Sequence, residues 1–432
     1  MSTALLARVK DEYGSVRDTL PPSVVATERR RSALEMLCAQ GLPATREENW
    51  RYTNLRVLER VRFAPTLTPT GAKPELPAPL EGFSRYVFVD GVLCSSHSIA
   101  AEAGISVRSL RAGAAEVRLE SPPIPALPET RLALLNEAFA TDAAAIRVQS
   151  LAGMQRVELV FIASTAAEMG ASYPRVQVTL EPGTRLALVE RHLSTGDAAN
   201  LVNCAVHVDL AEGSRLTHYR LQQTGLRTAW FDTLEATLAK DARYEILAVS
   251  TGGLTARSTV HVRLAGSGAE VALSAAALGD RLQSQDTFAL TEHLAPRTRT
   301  EQTFRGIASA RARVAFNGKV VVRETARGTD SRQSLRDLLA GPEAEIDVRP
   351  QLEIHTDEVR CAHGATAGML DETMLFYLLS RGLSPEVAQR LLKWAFLEDV
   401  VSRIELPDLR RRIEVEIAGQ MSEAASLKEL LG

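Results

Sequence analysis

The sequence predicts a mainly β protein with helical ends, and three observations carry that prediction. Between Tyr86 and about Ile354, short alternating or β-rich runs recur every one to two dozen residues, roughly. Before about Arg62 and after Asp371 the apolar residues follow helical spacing instead. Five prolines, at 65, 69, 74, 77 and 79, separate the first helical stretch from the β-rich middle. A period of two buries one face of a strand, whereas steps of three and four make one face of a helix, so a change of period marks a change of architecture. The connectors are too short and too poor in helical periodicity for repeated strand–helix–strand crossovers. A sandwich, a barrel or a solenoid remains, and with no strict repeat the pattern does not choose among them.

Taken in order, Ser23 to Glu28 opens a helical run through Leu34, Met36 and Leu37 that stops at Gly41, and Leu42-Pro43 breaks it. The proline-rich stretch, mixed with Thr, Ala and Gly, has linker composition. Strands are expected at Tyr86 to Val89, Val157 to Ile162, Arg175 to Leu180, Leu186 to Val189, Cys204 to Leu210, Leu216 to Leu221, Tyr244 to Leu247, Thr259 to Leu264, Val271 to Leu273 and Val314 to Val322. Turn signals such as Glu212-Gly213-Ser214, Gly252-Gly253 and Gly266-Ser267-Gly268 separate them. Pro128 to Phe139 reads as an inserted helix. In the tail, Asp371 is an N-cap and Gly382 a C′ residue around Thr373 to Arg381. Ser384-Pro385-Glu386 then starts a second helix whose apolar stripe is Ala388, Leu391, Leu392, Ala395, Phe396 and Val400. The divisions are a helical domain over 1–64, a linker over 65–82, a β core over 83–360, and a site segment with a helical domain over 361–432.

Composition narrows the function. A formal net charge of −3, from 50 basic and 53 acidic residues, leaves no electrostatic footprint for nucleic acid and no polybasic arm for a membrane surface. Arg29-Arg30-Arg31 and Arg410-Arg411-Arg412 read as solvated helix faces. No run approaches 18 uninterrupted apolar residues, and the first residues lack a secretory pattern, so a cytoplasmic protein is expected. Cys38, Cys94, Cys204 and Cys361 are scattered without a CxxC pair, which suits a reducing compartment.

Chemistry concentrates at Cys361-Ala362-His363. On an extended segment the thiol and imidazole project the same way, with Asp357 and Glu358 close upstream, and together they suit a soft or borderline metal. Two ligands close no tetrahedral site, so the pair is half a site whose complement lies elsewhere or on another chain. His355, eight residues earlier, is separated from it by an expected turn. Cys204 and His207, three apart on a strand, face opposite ways. His97, His192, His218, His261 and His293 read as structural hydrogen-bonding residues. No phosphate-binding loop occurs, since Asn317-Gly318-Lys319 lacks the upstream glycine and the following hydroxyl. Nucleophile-elbow, zinc-protease and complete dinucleotide motifs are missing too, which argues against a self-contained hydrolase or dehydrogenase.

The run Cys361 to Thr366, with Leu375-Phe376-Tyr377-Leu378 and Ser380-Arg381-Gly382, resembles the signature of the SufD branch of the SufB/SufD family, scaffold subunits of SUF iron–sulfur cluster assembly. The likeness extends through Phe316 to Val322, Gly328-Thr329-Asp330, Gln333, Leu338-Leu339 and Pro350 to Ile354. Near the N-terminus it takes in Gly41-Leu42-Pro43, Glu48, Trp50, Tyr52 and Val87 to Gly91. Gly364, where SufB usually has Glu, favours the SufD branch. Asp337 and Ala362 depart from the Asn and Ser common there. The resemblance implies a right-handed parallel β-helix and a non-catalytic scaffold that pairs with SufB, or with itself in isolation. ATP enters only through the ABC-type ATPase SufC, which docks on the C-terminal helical domain, with Phe376, Tyr377, Arg381 and Gly382 as candidate contacts. His363 matches the histidine facing a SufB cysteine where a transient iron–sulfur cluster assembles, and Cys361 its neighbour. The family's complex has been linked to reduced flavin, although no segment here marks a flavin site. Two other readings remain: a plain interaction protein forming a homodimer with the cluster ligands wholly in SufB, and a β-helix carbohydrate-active enzyme. The latter is disfavoured by 5% aromatic content and the missing secretion signal.

Overall fold

The computed structural model describes residues 2–53, 55–62, 64–67, 74–99, 105–109, 111, 127–149, 153–167 and 169–421. Part of the proline-rich linker, 68–73 with Pro69, lies outside them. The middle of the chain is a two-sheet parallel β-solenoid. From Arg175–Leu180 onward the chain alternates between two sheets, so each strand pairs with the strand two places away in sequence. In one sheet Leu201 lies beside Ala229, Ala229 beside Thr255, Thr255 beside Ser284, Ser284 beside Arg313 and Arg313 beside Glu345. This decides among the three architectures that periodicity leaves open.

The lumen is filled from both sheets by rows that include Leu188, Leu216, Leu234, Ile246, Val260, Leu273, Ala289, Phe304, Phe316 and Leu335. Stacked rungs share this continuous core, which no rung could form alone. Phe304 stacks on Phe316 with centroids 4.4 Å apart. Gly318 serves the same packing: a β-carbon there would stand 2.6 Å from Gln302 Oε1 and 2.9 Å from Gln333 Nε2. The Asn-Gly-Lys segment is thus a core strand whose glycine makes room for two amides.

At its start the solenoid carries a hairpin, Ser84–Val89 with Val92–Leu93. Asp90 and Gly91 both have positive φ, 50° and 85°, as a two-residue primed turn requires. The Asp90 carboxylate accepts from Ser164 N at 2.7 Å and Ser164 Oγ at 2.6 Å.

Helices Ser2–Val16, Thr27–Gln40 and Arg131–Phe139 pack on the outer face of the second sheet through Val9, Leu37, Leu135, Phe139, Leu201 and Phe231. Gly41 stops the second helix at φ 75°. Arg29 to Arg31 are not a uniformly solvated face. Arg30 is 1% exposed and donates to the carbonyl oxygens of Val25, Pro21, Ala138 and Ala140, while Arg29 pairs with Glu137. A buried guanidinium with five donors suits a site where several carbonyl groups converge.

Glu372–Ser380, Pro385–Val401 and Pro407–Gln420 form the C-terminal helices. Asp371 caps the first, accepting from Thr373 N and Met374 N at 2.8 and 3.0 Å, and Ser384 caps the second. The buried stripe of the second helix is rotated from the expected one: Ala388, Trp394, Leu397, Val400 and Val401 are buried, whereas Ala395 is exposed and Leu391, Leu392 and Phe396 are half-buried. Trp394 outweighs Ala395 in apolar area, and the face turns to place it on Val249, Ala276, Ile307 and Leu338 of the first sheet.

Candidate functional site

Cys361 and His363 sit on Val359–Met369, the terminal strand of the first sheet, so the β structure runs past Ile354 to Met369. That strand pairs with Thr329–Leu339, setting Cys361 beside Ser331, His363 beside Gln333 and Ala365 beside Leu335. Leu335 is buried in the lumen core, and Gln333 Nε2 donates inward to Gln302 Oε1 at 2.8 Å and to the Gly318 carbonyl oxygen at 3.0 Å. By the period of two, Cys361 and His363 therefore continue the lumen-facing row onto the last, uncovered rung.

The two side chains differ in environment. Cys361 is half-buried against Val320, Val322, Ala326, Leu352 and Val359. Burial pushes its thiol pKa up, the Asp330 carboxylate adds to that shift, and a backbone hydrogen bond at Ser331 opposes it. The resting group is a thiol that a metal would ionise on binding. His363 is exposed. Asp357 and Glu358 do not join them: Glu358 lies in the turn before the strand, near Arg327 at 3.9 Å. His355, in the loop just past the strand Glu345–Ile354 of the other sheet, bonds Glu353 at 2.9 Å.

The opposite edge of this rung is Glu345–Ile354, terminal in its own sheet and half-buried to exposed throughout. Ile354 is 41% and Met369 74% exposed, so among the described residues this end is an apolar rung with unpaired strand edges on both sheets. Beyond it, no residue of Glu372–Ser380 is buried, with Phe376 71% and Tyr377 50% exposed. The Arg381 guanidinium lies 5.2 Å from the Tyr377 ring centroid, and Gly382 ends the turn at φ 90°.

Of the N-terminal residues of the resemblance, Glu48 and Tyr52 come to this end of the molecule, whereas Val87 to Gly91 belong to the hairpin at the solenoid's start. Asn317 Nδ2 donates to Asn49 Oδ1 at 3.0 Å, Gln351 Nε2 donates to Asn317 Oδ1 at 2.6 Å, and Arg349 pairs with Glu48. Trp50 lies under the Arg257 guanidinium at 4.6 Å.

Sequence spacing passes over a second cluster. Glu190, His192 and Cys204 meet inside the lumen, the only group of three or more potential metal ligands among the described residues. Glu190 and His192 repeat the i, i+2 signal of Cys361 and His363, but Cys204 joins them from the opposite sheet. Cys204 and His207 do face opposite ways: Cys204 lies in the core, and His207 bonds Asp209 at 3.0 Å. His218, His261 and His293 make the structural bonds expected of them, to Tyr244 and Glu190, to Glu292, and to Thr298 and Thr300.

The sequence model of the SUF system FeS cluster assembly SufBD core domain matches residues 161–396, more than half of the chain and including both the open rung and the exposed helix. The chain belongs to the SufBD family. It is 28% identical over 404 residues, 91% of this chain and 92% of the relative, to the iron–sulfur cluster assembly protein SufD of Escherichia coli K12. It is 25% identical over 406 residues, 90% of each chain, to an iron–sulfur cluster assembly SufBD family protein of Synechocystis. A SufBD family protein of Mycobacterium tuberculosis is 28% identical over 302 residues, covering 68% of this chain and 75% of the relative. As a SufD-type member, this chain serves in iron–sulfur cluster assembly as a scaffold-type protein. No helix among the described residues is long and apolar enough to cross a membrane.

Proposed function

We propose that this SufD-type chain works in the cytoplasm as one subunit of a complex with SufB and the ATPase SufC, and that His363, with Cys361 beside it, contributes to a cluster-assembly site shared with SufB. The observation that carries this reading is the open rung: a strand edge, an apolar lumen row, a thiol and an exposed imidazole occupy one uncovered end. An uncovered edge is completed by strand addition from a partner, and a solenoid end needs a cap. The nascent cluster is cargo here. Thiolate and imidazole are both accepted iron ligands, and a site divided between chains can release what it holds when they part.

Glu372–Ser380 is the proposed SufC contact, through Phe376, Tyr377, Arg381 and Gly382, because it keeps two large aromatic side chains at least half exposed. A right-handed solenoid is part of the same proposal, supported by the strong bias of parallel crossover connections. The divisions 1–64, 65–82, 83–360 and 361–432 are proposed with the strand Val359–Met369 bridging the last two.

Co-expression with SufB and SufC tests the assembly. Met369→Asp, which puts a charge on the apolar rung, is expected to abolish co-purification of SufB, whereas His363→Ala retains it. Loss of SufB binding by neither variant would remove the open rung from the interface. The same rung fits a second copy of this chain, so the protein alone is expected to sediment as a dimer that Met369→Asp dissociates.

A further inference from the structure

Inside the solenoid one rung departs from the apolar lining. Glu190 and His192, on Arg185–Thr195, point into the lumen, and Cys204, on Leu201–Leu210, meets them from the facing sheet. A carboxylate oxygen, an imidazole nitrogen and the thiol sulfur all lie within 4.8 Å of one another, and the three residues are 0%, 2% and 0% exposed. Glu190 Oε1 is the hub, 2.7 Å from His192 Nε2 and 3.9 Å from Cys204 Sγ.

We propose that Glu190, His192 and Cys204 form a buried site for one borderline divalent cation, of the Zn2+ or Fe2+ class. A mixed oxygen, nitrogen and sulfur donor set suits that class and not Mg2+ or Ca2+, which take oxygen ligands. Charge favours it too. The cluster holds two carboxylates, Glu190 and Asp232, against one guanidinium, Arg220. A dication that displaces the Cys204 thiol proton to solvent brings two carboxylates and a thiolate into balance with the guanidinium and the metal.

The surroundings supply a second shell. Glu190 Oε2 is held by His218 Nε2 at 3.1 Å, and His218 Nδ1 bonds the Tyr244 hydroxyl at 2.9 Å. Such outer partners orient a ligating carboxylate. Arg220 donates to Glu190 Oε1 at 3.0 Å, and it can yield that oxygen because two bonds of 2.8 Å keep it on Asp232. Space for a further ligand lies beside His192. A cavity of about 40 Å³ lined by His192, Arg220 and Trp230, among others, adjoins the cluster, and His192 Nδ1, Arg220 Nε and Trp230 Nε1 have no hydrogen-bond partner among the described residues. That volume holds at least one water, and three protein ligands with a water completing the tetrahedron is a known arrangement for zinc. The inference stands apart from the shared-cluster reading, since none of its residues lies on the open rung.

The test is a Co2+ titration of metal-free protein carrying Cys361→Ser and His363→Ala, which removes the surface pair. One equivalent is expected to bind, with a near-ultraviolet thiolate-to-cobalt charge-transfer band and one proton released. Adding Cys204→Ser abolishes the band, and adding His192→Gln weakens binding at least ten-fold. Absence of binding, or a band that survives Cys204→Ser, overturns the proposal. Should Cys204→Ser fail to fold, X-ray absorption at the cobalt edge of the parent decides: one sulfur with nitrogen and oxygen ligands is expected, and a shell without sulfur, or with several, overturns it.

Discussion

Gln333 and His363 are register neighbours on the last two strands of one sheet, and the Gln333 amide donates across the lumen to the Gly318 carbonyl oxygen at 3.0 Å. The imidazole therefore stands on a hydrogen-bonded floor that ties both sheets together, while the rung above it is open to a partner. Orientation of an exposed ligand is set by the layer beneath it.

Gly318 keeps that floor in place. Gly318→Val puts atoms where the amides of Gln302 and Gln333 lie, so thermal unfolding of the variant should show a loss of about 1–3 kcal/mol, the usual cost of overpacking. Unchanged stability would mean that the amides move aside without cost.

Asp337 projects to the same side of its strand as Gln333, and among the described residues no side chain hydrogen-bonds its carboxyl oxygens, while a backbone hydrogen bond at Gly306 favours its charged form. Burial raises its pKa from 3.8 to about 8. The folded state thus holds a proton that the unfolded chain releases. Stability from this group is complete below about pH 4 and is lost as pH rises towards about 8. Asp337→Asn, which cannot ionise, should raise the melting temperature relative to the natural chain at pH 8 and much less at pH 5. Equal differences at the two pH values would assign the residue a solvated carboxylate.

How much of this was legible in the sequence depends on what fills the lumen. Val314 to Val322 reads as a strand because its inward residues are Val, Phe and Gly. Thr329–Leu339 does not, because its inward row is Ser331, Gln333, Leu335 and Asp337, which mimics a polar loop. Cys361 and His363 were visible as a pair because one strand carries both. Their place on an open rung follows from register, which no single strand encodes. The cluster of Glu190, His192 and Cys204 needs two facing sheets to exist.

Trp394 and Leu397 anchor the second C-terminal helix on the solenoid. Leu397 is 1% exposed, so Leu397→Ala should cost about 2–5 kcal/mol in denaturant unfolding. Ala395→Ser, on the exposed face, should stay within about 0.5 kcal/mol of the natural chain. A reversed order would return the buried stripe to the one that spacing alone suggests.

Phe376→Ala and Tyr377→Ala remove exposed aromatic area without touching a core. Melting temperatures should change little, while capture of SufC by this chain falls at least ten-fold. Full SufC capture by the double variant would move the docking surface elsewhere.

The central claim is that His363 belongs to the assembly site. Iron and acid-labile sulfide, measured in complexes purified anaerobically with SufB and SufC, test it most directly when the natural chain is compared with His363→Ala. The account predicts that both complexes form and that only the natural one carries substantial iron and sulfide. Equal iron and sulfide in both would contradict it and leave the cluster ligands wholly in SufB.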